Sequence, residues 1–111
     1  MSCEGVWRVE MMGPYGWESV ATAFMKDGQY FEASANHYTV GTYKVDGDKL
    51  EISDATTQYG ASRTLLGTDF MEKMPTISRC DIKENEITGA TRAKDRESHE
   101  IRIRLTRLES I

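Results

Sequence analysis

The sequence predicts an all-β chain folded as an eight-stranded up-and-down antiparallel barrel. Three observations lead there. Apolar and polar residues alternate with a period of two at both ends of the chain, which a half-buried strand requires and a helix would scatter. Turn-forming residues recur at nearly regular spacing between the alternating runs. Eight short, sequential, hairpin-linked strands in 111 residues also suit a closed barrel, because closure removes the edges that would otherwise pair with other chains. A two-sheet sandwich is the alternative.

The first strand holds Trp7, Val9 and Met11 on one face and Arg8 and Glu10 on the other, and stops at Gly13-Pro14-Tyr15-Gly16. That Gly-Pro cluster is a turn. The second runs from Glu18 to Lys26 and ends at Asp27-Gly28, a pair that accepts the positive φ of a type I′ hairpin. The third begins at Gln29-Tyr30-Phe31, and a polar loop around Ala35-Asn36-His37 separates it from a fourth over Tyr38 to Val45. Asp46-Gly47-Asp48 turns the chain into a fifth strand, Lys49 to about Thr57. Residues 58–68 carry two glycines and no clean period; they read as a long loop or a short helical turn. Phe70 to Lys83 reads as a sixth strand, bent near Pro75 because proline has no N–H to donate to a ladder. Glu84-Asn85 leads into a seventh strand from Glu86 to Thr91, and residues 94–98 form the next turn. In the last strand, Glu100 to Thr106, one face holds Ile101, Ile103 and Leu105 and the other Arg102, Arg104 and Thr106. Gly41 and Gly89 fall inside strands and mark bends or close backbone approaches.

No repeat, low-complexity tract or linker divides the chain, so residues 1–111 are expected to form one domain. The formal charge is −4, with four basic and nine acidic residues up to position 54 and ten and nine thereafter. This balance speaks against direct nucleic-acid binding. No stretch approaches the roughly 20 apolar residues of a spanning helix, and the first residues lack a basic region followed by an apolar run. A cytoplasmic protein without a membrane span is expected. Cys3 and Cys80 have no metal-ligand spacing and are read as free thiols, Cys3 mobile and Cys80 a small packing residue.

Candidate chemistry is sparse, and no catalytic residue, metal or cofactor is expected. His37 and His99 read as solvated loop histidines, and no nucleophile, P-loop or zinc motif accompanies them. Asp46 and Asp48 are two carboxylates, well short of the six to eight oxygens that calcium prefers. The Arg102, Arg104 and Arg107 group is flanked by Glu97, Glu100 and Glu109 and reads as a solvated strand face.

Gly5-Val6-Trp7 resembles the G-x-W that opens calycin barrels, the lipocalin and fatty-acid-binding group. There the indole closes one end of the barrel beneath a basic side chain from the final strand, here assigned to Arg104. Further along, Asp27-Gly28, Tyr38-x-x-Gly41-x-Tyr43, Asp46-Gly47-Asp48, Ile87-Thr88-Gly89 and Leu105-Thr106-Arg107-Leu108 extend the likeness over most of the chain. Together they resemble the GrlR-like family, small bacterial lipocalin-like negative regulators of type III secretion. The resemblance implies a homodimeric barrel whose acidic turn engages a helix-turn-helix transcriptional activator. That turn falls on Val45 to Asp48, so only Asp46 and Asp48 carry the partner-binding role over. A regulatory or adaptor barrel that binds a protein is therefore the expected function, and a calycin-type barrel for a small apolar ligand the alternative. Strands without a clean polar face, such as Val20 to Met25, also point to a dimer.

Overall fold

The computed structural model describes residues 2–58, 74–94 and 99–111. Eight antiparallel strands, each hydrogen-bonded to the next, close into a barrel when β8 pairs with β1. They are β1 (Gly5–Gly13), β2 (Gly16–Lys26), β3 (Gln29–Ala33), β4 (His37–Asp46), β5 (Lys49–Gln58), β6 (Met74–Lys83), β7 (Glu86–Ala93) and β8 (Ile101–Glu109). The predicted eight-stranded up-and-down topology is thus present. Closure also selects the barrel over the sandwich.

Several boundaries move. β2 begins at Gly16, β4 takes in His37 and β8 continues to Glu109. β6 begins at Met74, next to Pro75; the predicted strand over 70–73, the loop over 59–68 and the turn residues 95–98 lie outside the described residues. Asp27 and Gly28 have φ of 51° and 78°, the two positive angles of a type I′ turn. Gly47 and Glu84 each open their turn at positive φ, 64° and 45°.

The strands have two ends, which we call lower and upper. The Asp27-Gly28, Gly47-Asp48 and Glu84-Asn85 turns lie at the lower end with both chain termini. At the upper end lie the Pro14-Tyr15 turn and the 34–36 loop. Odd positions of β1 and β8 point inward, as do even positions of β5, β6 and β3; the register then aligns them in cross-strand rows. Toward the lower end the interior is large and apolar: Trp7, Met25, Leu50, Ile87 and Leu105 are fully buried, each worth about 1.5–3 kcal/mol over an exposed side chain. Short side chains and polar groups take over from mid-barrel toward the upper end, where Glu32, Thr39, Thr76, Ser78 and Thr91 are buried.

Gly41 and Gly89 sit where neighbouring strands press together. A Cβ on Gly41 would collide with the Ser53 carbonyl and Asp54 Cβ, and one on Gly89 with the Arg79 carbonyl and Cys80 Cα. These are the close approaches expected of in-strand glycines. Two bulges, at Val9/Glu10 against β2 and Val6/Trp7 against β8, add local twist where the sheet curls to close.

Candidate functional site

The lower end is plugged. Trp7 fills the barrel, and its indole N–H donates to the Cys3 carbonyl at 2.9 Å. Arg107 lies over the ring, 4.4 Å from its centroid. Its guanidinium donates to the carbonyls of Ser2 and Glu4 and to Asn85 Oδ1. The Glu4 carboxylate accepts from the Asp27 N–H at 3.1 Å. The N-terminal arm is thereby strapped across the mouth. Cys3, expected to be mobile, is instead 2% exposed, because its carbonyl anchors the indole and its side chain packs in the core. Burial pushes its thiol up, with Arg107 partly opposing. Burial also pushes Cys80 up to about 12, in keeping with an inert packing residue.

Arg104 does not cap Trp7. It points outward, 4.5 Å from the Trp17 centroid, and donates through Nε and Nη2 to the two Glu10 carboxylate oxygens at 3.1 and 3.2 Å. Hydrogen bonding to Arg104 holds Glu10 below the usual carboxylate range. The reason is the pleat: Ile103 and Leu105 point inward, so Arg104 between them must point out and Arg107 in. The same alternation, carried two residues beyond Leu105, identifies Arg107 in the sequence.

Asp46 and Asp48 stand together and exposed on the β4–β5 hairpin. Their surroundings are mixed in charge. Lys44, Lys49, Glu51 and Arg79 share a shallow depression with Asp46, Lys49 contacts Asp81, and Arg79 lies 3.4 Å from Glu51. The hairpin leans on β6 through the Asp48 carbonyl, which accepts from the Ile82 N–H.

The upper interior gathers polar groups. Tyr30 donates to Glu32 Oε1 at 2.6 Å, and His37 Nε2 meets Glu32 Oε2 at 2.8 Å. His37 Nδ1 lies 2.7 Å from Ser34 Oγ. His37 is therefore no solvated loop residue; its side chain is 16% exposed, because β4 begins at this position and turns it inward. Serine, imidazole and carboxylate lie in series, as in hydrolytic relays. Here, however, Ser34 Oγ also accepts the N–H groups of Asn36 and His37, which makes it the clamp of a three-residue loop. His99 is exposed, as expected.

Below this relay Asp54 accepts from Thr76. Burial raises its pKa to about 7 against the usual 3.8, the Glu32 charge adds to the rise, and Thr76, Lys94 and His37 oppose it. Tyr30 is pushed well above its ordinary value by burial and by Glu32, so it stays a neutral donor. Among the described residues, no three His, Cys, Asp or Glu side chains converge as metal ligands. Also among them, no helix is long and apolar enough to cross a membrane.

Comparison with protein-family models and with curated proteins gives no match.

Proposed function

We propose that this chain is a non-catalytic regulatory or adaptor barrel that acts through protein contact and pairs with a second copy of itself. One observation carries the reading: an uncharged apolar row on the outer face. Val6, Phe24, Phe31, Val40 and Ala55 are successive cross-strand partners across β1 to β5. Phe24, Phe31 and Val40 are 43–47% exposed. The rows on either side, Arg8-Thr22-Ala33-Tyr38-Thr57 and Lys26-Gln29-Thr42-Ser53, carry one charge each, both at the β1–β2 edge.

Aromatic enrichment and loss of charge distinguish the core of a protein interface from ordinary surface. At strand spacing of about 4.8 Å, five strands and three outward positions span roughly 20 by 14 Å. The chain's −4 charge opposes self-association wherever acidic groups are displayed, and this face displays none, only Arg8 and Lys26 at its edge. A second copy of the same apolar row fits it without like-charge repulsion at the centre of the contact. The lower hairpin supports a partner role less strongly, since basic side chains surround Asp46 and Asp48. A helix-turn-helix activator, the partner implied by the GrlR-like resemblance, would meet the barrel there, in a cytoplasmic setting.

Sedimentation at micromolar concentration tests the contact. The wild type should run at twice 12.6 kDa and Phe31→Glu at the single mass, with an unchanged far-UV spectrum. A wild type of strictly single mass would overturn self-pairing.

A second reading, a barrel that holds a small molecule, is favoured by the interior. Among the described residues polar side chains gather toward its upper end, whereas Trp7 and its apolar neighbours fill the lower end.

A further inference from the structure

The upper interior holds more negative charge than folding requires. Glu32 on β3 and Asp54 on β5 both point inward, separated by β4 at the point where Gly41 has no side chain: Tyr30, Gly41, Asp54 and Thr76 form one cross-strand row. The charged and titratable groups about them are Tyr30, His37 and Lys94. His37 is committed to Glu32 and Ser34, and the Lys94 ammonium to Ser53 Oγ at 2.7 Å. Among the described residues no cation forms an ion pair with Asp54. A carboxylate so placed destabilises the fold.

An independent feature lies beside it. Ser78 is the next inward residue below Thr76 on β6 and stands opposite Thr91 of β7. It is only 5% exposed, and its hydroxyl finds no hydrogen-bond partner among the described residues. Buried hydroxyls are nearly always satisfied. An unsatisfied hydroxyl one strand away from an inward-facing, partly buried carboxylate that has no ion-pair partner among the described residues marks a place for a ligand that donates hydrogen bonds. A primary ammonium has three donors and one positive charge, matching Asp54, Glu32 and Ser78. Ile52 and Ile101, in the same row as Ser78, provide apolar surface for the carbon skeleton of such a molecule. Among the described residues no three His, Cys, Asp or Glu side chains converge here, and the adjoining apolar surface suits an organic cation.

We propose that the upper interior of the barrel binds a small primary amine as its ammonium ion, seated between Asp54 and Glu32 and hydrogen-bonded to Ser78. The proposal rests on the second reading above, a barrel that holds a small molecule, and gives that molecule its chemical class.

Calorimetric titration of the full chain with phenethylamine and with phenethyl alcohol, which replaces the ammonium by a hydroxyl, tests it. The amine should bind at least about tenfold more tightly than the alcohol, the effect of one charged hydrogen bond. Asp54→Asn should lose at least about tenfold in amine affinity while remaining folded, and Ser78→Ala should lose a smaller factor. Equal binding of amine and alcohol, or an Asp54→Asn variant that binds amine as the wild type does, would overturn the ammonium site. A fluorescent apolar dye separates the two levels. Displaceable dye binding without amine binding would overturn the ammonium proposal and leave a ligand-holding barrel, whereas binding of neither would overturn both.

Discussion

Asp54→Asn should stabilise the protein at neutral and alkaline pH and leave it nearly unchanged at pH 4. In the folded chain the Asp54 pKa is about 7 against 3.8 for the unperturbed group, with burial the main cause. Between these values the folded chain keeps a proton that the unfolded chain has released. Stability from this group is therefore greatest below about pH 4, falls as pH rises to 7, and is level above. Three pH units at about 1.4 kcal/mol each give roughly 4 kcal/mol as the upper bound. Water entry and relaxation of the barrel around the charge reduce it, so about 2–4 kcal/mol is expected. Asparagine keeps the shape and can still accept from Thr76 through Oδ1, but it has no charge to desolvate. At roughly 4 °C per kcal/mol for a chain of this size, the variant should melt about 8–16 °C higher at pH 8. Thermal melts of both proteins at pH 4, 6 and 8 would show it. Equal melting temperatures at pH 8, or a variant less stable there than the wild type, would refute the argument that Asp54 loses hydration on folding without a compensating cation.

The lower plug makes Arg107→Ala costly, by about 2–4 kcal/mol, since a cation–π contact and charged hydrogen bonds are lost together; urea unfolding measures it, and faster proteolysis within residues 2–4 should accompany it. Arg104→Ala, on the outer face, should cost only about 1 kcal/mol in the same assay. Gly41→Ala should destabilise by about 1–3 kcal/mol, because the new methyl meets the Ser53 carbonyl and Asp54 Cβ rather than a yielding side chain. Glu84→Gly should stabilise the fold by about 0.5–1 kcal/mol in urea unfolding, as the positive φ of 45° is easier for glycine and only part of that gain is lost to unfolded-chain entropy.

The period-two runs and the turn pairs were enough to set the strand count, the order of pairing and the residues facing inward, because those depend on chain neighbours and on the pleat alone. Trp7 and Cys80 were legible for the same reason, and Arg107 would have been had the alternation in β8 been followed to its end. The upper interior was not legible. Glu32, Asp54 and Ser78 lie 22 and 24 residues apart in sequence, on three different strands, and face one interior only once the register across β3 to β6 is set. His37 looked like a loop residue because three residues suffice for its turn once Ser34 clamps the N–H groups of Asn36 and His37. The apolar outer row is likewise a property of register, since Phe24, Phe31 and Val40 adjoin one another only across strands. Alternation along the chain determined which side of the sheet each residue takes; cross-strand register decided which residues meet, and with them where a carboxylate without an ion-pair partner among the described residues is turned into the barrel.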